Sequence, residues 1–230
     1  MSSGILFDFD DTLVETTVHF NRAKDRFAAR MNALGFPGEE ALEVLNVFDI
    51  RNVRRYGGFF KQCFPLALGE TYEFYCRSNG RKCAPQQKKE MEDLGWWVFE
   101  QPVQPVEGAM EVLQRLCGVL PLFLATKGDP LVQHGRIEES GLLRYFKEIY
   151  VLVDKNSTAY RDIALEQRLK PAVSWVVGNS MKSDINPALV AGFKCIYIQH
   201  PYTWDFEDEA PLGGHISVDS LAVVPKVVGL

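Results

Sequence analysis

Residues 119–218 repeat one pattern: a short apolar run, a stretch with helical periodicity, and a Gly or Pro that stops it. The runs are VLPLFLA (119–125), EIYVLV (148–153), SWVVG (174–178), KCIYIQ (194–199) and, as a short last candidate, HISV (215–218). Helices are predicted around 130–140, over 157–169 and near 184–192, ending at Gly141, before Pro171 and at Gly192. Runs that are apolar throughout belong to strands buried on both faces, and strands joined by helices must run parallel. The pattern therefore predicts an α/β domain, a parallel sheet with helices on both sides. A further strand precedes it, in the apolar stretch that begins at Ile5 and leads into Asp8.

The segment between that first strand and residue 104 reads differently. It offers helical patterns and no convincing strand. One is VHFNRAKDRFAARMNALG, with Phe20, Phe27 and Met31 on one face and Gly35 as its stop; another is PQQKKEMEDLGWWVF (85–99). The two prolines of QPVQPVEG mark the return to the sheet. The expected division is a sheet domain from residues 1–15 and 104–230 and an all-helical insertion over 16–103. Trp96 and Trp97 are expected to pack where the two meet.

Composition narrows the function classes. Hydrophobic residues make up 47% and charged residues 24%, which argues against disorder. A net charge of −5 gives no global basic field for nucleic acid. No apolar run approaches the roughly 18 residues of a membrane span. The N-terminus enters a strand at once, leaving no room for a signal peptide. Five cysteines, an odd number without a C-x-x-C pair, read as reduced thiols. A cytoplasmic protein is expected. His134, His200 and His215 show no metal-ligand spacing.

The stretch ILFDFDDTL (5–13) sets Asp8, Asp10 and Asp11 directly after a strand. Like charges crowded there need compensation. In open parallel sheets ligands gather at the carboxyl ends of the strands, so partners for the acids should follow strands too. Three stretches do: Ala125-Thr126-Lys127-Gly128-Asp129, Asp154-Lys155, and Gly178-Asn179-Ser180 with Asp184 beyond. Carboxylates, a hydroxyl and lysines are what phosphoryl transfer uses: a nucleophile, an acid/base, and positive charge against the transferring group.

In that order the four stretches resemble the pattern of the haloacid dehalogenase-like (HAD) superfamily: D-x-D-x-T, an apolar strand ending in Thr or Ser, a Lys, and G-D-x-x-x-x-D. The resemblance covers the whole sheet domain. It implies a Rossmann-like core with the insertion as a helical cap. It also implies hydrolysis of a small phosphate monoester through an aspartyl-phosphate at Asp8. Asp10 would be the acid/base, and crowding beside Asp8 would favour its protonated form. Thr126 would hold a phosphoryl oxygen and Lys155 would neutralise the nucleophile. Lys127 is a further phosphate-binding candidate, and Arg54, beside the Gly57-Gly58 break, a weaker one. Mg²⁺ would be held by Asp8, the carbonyl of Asp10, Asn179 and Asp184.

The chain departs from the pattern at Asn179, where the family has an Asp; an amide oxygen can still coordinate a hard cation, without the charge. Dehalogenases and phosphonate hydrolases of the superfamily lack the second Asp of D-x-D, so Asp10 favours phosphate monoester chemistry. A sugar phosphomutase or a catalytically weak phospho-ligand-binding member are the alternatives. The expected partner is a small phosphorylated metabolite, and the expected assembly a monomer or homodimer.

Overall fold

A computed structural model describes residues 2–202, 204 and 206–230. The elements run β1 (Ile5–Phe7), α1 (Thr17–Ala33), α2 (Gly38–Tyr56), α3 (Cys63–Ser78), α4 (Pro85–Trp96), α5 (Ala109–Cys117), β2 (Leu122–Lys127), α6 (Pro130–Glu139), β3 (Glu148–Leu152), α7 (Ser157–Glu166), β4 (Trp175–Gly178), α8 (Asn186–Val190), β5 (Lys194–Ile198), β6 (Ile216–Val218) and α9 (Val224–Val227). They form two compact units, Met1–Glu15 with Val103–Leu230, and Thr16–Pro102.

The first unit holds a six-stranded sheet in the order β3-β2-β1-β4-β5-β6, with every neighbouring pair parallel. Alternate side chains of each strand enter opposite layers, as the two-residue strand period requires. Ile5, Phe7, Leu122, Leu124, Val177 and Ile196 face one layer, closed by Val112 and Leu116 of α5, Ile137 of α6 and Val224 of α9. Leu6, Phe123, Ala125, Val176 and Cys195 face the other, against Tyr160 and Ile163 of α7 and Ala188 of α8. Each large side chain buried in these layers contributes about 1.5–3 kcal/mol.

Register sets the site. Phe7 pairs with both Leu124 and Val177, so β1 and β4 end within one residue of each other while β2 runs three residues further, to Lys127. Strand order reverses at β1, the place where open α/β sheets bind ligands.

Some boundaries differ from the sequence reading. VLPLFLA does not start as a strand: Pro121 has no N–H to give a ladder, and β2 begins at Leu122 and runs on through Thr126 and Lys127. The helix expected over 157–169 stops at Glu166, because Arg168 takes a left-handed conformation (φ 54°) and the Leu169 N–H turns back to the Ala164 carbonyl. The helix expected near 184 is preceded by a wider π-type turn, Met181–Ile185.

The second unit is helical. Phe27 and Met31 of α1, Leu45 of α2, Phe64, Leu68 and Tyr72 of α3 and Met91 of α4 build its core. Trp97 packs against that core with the Arg26 guanidinium 4.9 Å from its ring centre. Among the described residues no helix is long and apolar enough to cross a membrane, and all five cysteines are free.

Candidate active site

The site grows from the turn after β1. The Asp8 N–H donates to the Val177 carbonyl at 2.9 Å, which continues the ladder by one residue. The chain then folds back on itself: the N–H groups of Leu13 and Val14 both donate to the Phe9 carbonyl, at 2.9 and 3.1 Å. Asp11 sits at φ 57°, a left-handed position that Asp tolerates better than most residues. This turn brings Asp10 back beside the strand end. Helix α1 starts later, with Thr16 at its N-cap, so neither Asp11 nor Thr12 caps it. The Thr12 hydroxyl instead lies 3.3 Å from Asp8 Oδ2 and 3.2 Å from the Asn179 amide.

Lys155, after β3, reaches across the sheet end. Its ammonium donates to Asp8 Oδ1 and, at 2.7 Å, to Asp184 Oδ1. Asp8 is 8% exposed, Lys155 3% and Asp184 1%, so this is a buried triad. Burial, helped by the Asp184 and Asp10 charges and opposed by Lys155, pushes the Asp8 carboxyl up to about 7. Burial works against the Lys155 charge, but Asp184 and Asp8 outweigh it and raise its pKa. Of the lysines compared from sequence, Lys155 is therefore the one bonded to Asp8.

Gly178 closes β4, and its lack of a side chain is required. A Cβ there would lie 2.4 Å from the Asp184 carboxylate. Asp184 Oδ2 accepts the Ser180 N–H at 3.0 Å, so both of its oxygens are engaged, one by Lys155 and one by backbone. The Asn179 amide end lies 3.1 Å from Asp8 Oδ2 and 3.1 Å from the Asp10 carbonyl. With nitrogen at that end it donates to both. With oxygen there, three oxygens face one another as they do around a hard cation. The donor set thus fits Mg²⁺ at Asp8, the Asp10 carbonyl and Asn179, while the Asp184 charge here balances Lys155.

Thr126 is fully buried at the end of β2. It does not cap α6; Asp129 does, accepting the Leu131 N–H at 3.1 Å. The Thr126 hydroxyl accepts from Gln133 Nε2 at 2.7 Å, and the same nitrogen lies 2.8 Å from Asp10 Oδ2. The Arg136 guanidinium takes the other Asp10 oxygen and the Gln133 carbonyl, the latter at 3.0 Å. Sequence reasoning expected crowding beside Asp8 to favour the protonated form of Asp10. The two charges do act on one another, and both Asp10 oxygens also accept hydrogen bonds, from a cation and an amide, because two side chains of α6 reach it.

Lys127 Nζ lies 2.5 Å from Ser183 Oγ and 2.9 Å from Glu207 Oε1. Glu207 also accepts from Ser180 Oγ at 2.6 Å and from Ser183 Oγ. Burial alone would raise the Glu207 pKa, but Lys127 and the two hydroxyls hold it below the ordinary value. Gln133, Arg136 and Glu207 were not singled out from sequence. Only the i, i+3 spacing of the first two, which sets them on one face of α6, could have linked them.

Arg54 belongs to the helical unit, exposed in the last turn of α2. His19 is buried in the same unit, its ring centre 6.5 Å from that of Trp97. Asp11, Glu15 and His200, unrelated by spacing, each bring a ligand atom within 4.8 Å of the others; His200 Nε2 is 3.7 Å from Asp11 Oδ1.

Comparison with known proteins agrees with this layout. A family model described as haloacid dehalogenase-like hydrolase matches residues 3–192. YfnB of Bacillus subtilis, named as a HAD-hydrolase, is 27% identical over 100 residues, 41% of this chain; the match spans only 43% of that relative. Its crystal structure, described as bound to magnesium, superposes with a TM-score of 0.66 at 16% identity, over 100% of this chain and 99% of that one. A haloacid dehalogenase-like family hydrolase from Xanthomonas campestris reaches a TM-score of 0.80 at 25% identity, over 99% of this chain and 90% of that one. The L-2-haloacid dehalogenase of Xanthobacter autotrophicus shares the fold, with a TM-score of 0.61 at 17% identity over 99% and 98% of the two chains. With the family model spanning most of its length and its strand-end residues converging as they do, the chain belongs to the haloacid dehalogenase-like hydrolases.

Proposed function

We propose that the chain is a Mg²⁺-dependent phosphatase acting on a small phosphate monoester. Fold does not choose the reaction, since a dehalogenase shares it. The observation that carries the reading is Asp10, whose carboxylate is linked through the Gln133 amide, at 2.8 and 2.7 Å, to the hydroxyl of Thr126. A second carboxyl group beside the nucleophile is superfluous for displacing a halide and necessary for protonating an alkoxide.

In this reading Asp10, a carboxylate in the free protein, takes up a proton as substrate binds. An Asp8 oxygen then attacks phosphorus, the ester oxygen leaves with that proton, and an aspartyl-phosphate forms. Water then attacks that phosphorus while Asp10 takes its proton, releasing phosphate and restoring Asp8. Lys155 keeps the buried nucleophile neutralised, and the Thr126 hydroxyl donates to a phosphoryl oxygen. Lys127 adds positive charge at the end of β2. Asp8, the Asp10 carbonyl and Asn179 would hold Mg²⁺, whose charge offsets that of the transferring group when bound. YfnB is described as magnesium-bound, which supports the same ion here.

The test is phosphate release from a panel of small esters across a Mg²⁺ titration, beside Asp8→Asn and Asp10→Asn. Release that needs Mg²⁺ and both acids is the expected result. Tight phosphate-ester binding without release, unchanged by Asp8→Asn, would favour the second reading, a non-catalytic phospho-ligand binder, for which the uncharged Asn179 is the motivating feature. Phosphate transfer between sugar positions would point to a mutase.

A further inference from the structure

We propose that Gln133 is a positioning residue: it fixes the direction of the Thr126 hydroxyl and holds the Asp10 carboxylate in register with it. The inference rests on the phosphatase reading. Gln133 is 3% exposed, and both N–H groups and the carbonyl oxygen of its amide are engaged. One N–H goes to Thr126 Oγ1 at 2.7 Å, the other to Asp10 Oδ2 at 2.8 Å, and Oε1 accepts from Arg136 at 3.0 Å. Turning the amide over would set its oxygen against the Asp10 carboxylate and its NH₂ against the guanidinium, so only one orientation is allowed.

That orientation decides what Thr126 can do. A hydroxyl accepting from an N–H must point its own hydrogen elsewhere. The acceptor it meets in its own segment is the Lys127 carbonyl at 3.5 Å, the long limit of a hydrogen bond. The O–H is thus presented as a donor, the form an anion needs. Room for this arrangement is built in at Gly128, where φ is 145° and a Cβ would lie 3.0 Å from Gln133 Cγ. A buried amide, the glycine that admits it, and a guanidinium that fixes its polarity together make a device for orienting two groups at once.

The test compares Gln133→Glu and Gln133→Met with wild type, each checked for folding by circular dichroism. The readouts are inorganic phosphate binding by calorimetry with Mg²⁺, and kcat and KM on an ester from the panel. Gln133→Glu keeps the shape but replaces donors by acceptors. Thr126 then turns its hydrogen inward, and Asp10 meets a like charge. Phosphate affinity should fall about tenfold or more, with a raised KM and a lowered kcat. Gln133→Met, which removes the donors and the Arg136 acceptor without adding a charge, should weaken binding less. In a Thr126→Val background, Gln133→Met should cost no further phosphate affinity, since the hydroxyl it acts through is gone; a role in packing alone would give additive losses. A folded Gln133→Glu with wild-type phosphate affinity and kcat, in a wild type that hydrolyses esters, would overturn this inference alone. Should Gln133→Glu not fold, the additivity test on Gln133→Met decides. Wild-type protein that neither hydrolyses esters nor binds phosphate would overturn both the inference and the reading beneath it.

Discussion

The Lys155 ammonium is bonded to the carboxylates of both Asp8 and Asp184, at the end of a sheet where none of the three is more than 8% exposed. One buried cation balances two buried anions, so removing it leaves charge that neither water nor another partner neutralises. Lys155→Met should lower stability by about 3–5 kcal/mol at pH 8. The loss should shrink at pH 5, where protonation of Asp8, raised to about 7, relieves the repulsion. Urea unfolding at the two pH values checks this; an equal loss at both would mean that packing of the lysine stem, and not its charge, is what matters.

Gly178→Ala addresses the same triad from the backbone. The added methyl would lie 2.4 Å from the Asp184 carboxylate, far inside contact distance, and that carboxylate is pinned by Lys155 and the Ser180 N–H. Neither side can yield without breaking a buried ion pair. The substitution should destabilise by about 3 kcal/mol or more, well above an ordinary surface change. A urea midpoint close to wild type would show that the β4 end relaxes more freely than its register with β1 implies.

How far the sequence disclosed this site depends on the kind of contact. Asp8, Thr126 and Lys155 were legible because each follows an apolar run, and parallel strands deliver their carboxyl ends to one place. Asp184 followed from the family pattern that the Gly178 stretch resembles. Gln133 carries no such signal. It is a polar residue on an amphipathic helix, where a solvent-facing position is the ordinary expectation, and its partner Asp10 is 123 positions away. Glu207 joins Lys127 from a loop without periodicity. The element boundaries shifted for local reasons, Pro121 at the start of β2 and the left-handed Arg168 after α7. Those are decided by a single residue that pattern matching averages away.

Asn179→Asp restores the carboxylate of the family pattern at a point 3.1 Å from Asp8 Oδ2 and from the Asp10 carbonyl. In the metal-free protein this adds a like charge beside Asp8, so stability should fall. With Mg²⁺ the added charge should strengthen binding by about tenfold or more, which is roughly 1.4 kcal/mol. Calorimetric titration with MgCl₂, and unfolding with and without the ion, measure both halves. Unchanged affinity would mean that the amide oxygen already serves the cation as well as a carboxylate does.

The helical unit carries a titrating group of its own. Burial pushes the Asp49 carboxyl in α2 from 3.8 up to about 7, against the opposing pull of Lys24. A carboxyl raised in the folded state binds its proton there more tightly than in the unfolded chain. The stability this group contributes is therefore fully present below about pH 4, declines as pH rises toward 7, and is lost above it. Asp49→Asn cannot ionise and should be free of that decline. Because Asp49 keeps partial contact with solvent, the gain of the variant over wild type should be about 1–2 kcal/mol larger at pH 8 than at pH 5, less than the full shift would give. Urea unfolding of both proteins at pH 5, 6.5 and 8 follows it directly. A difference that stays flat across the three would place Asp49 in ordinary solvent contact, with no penalty for its charge.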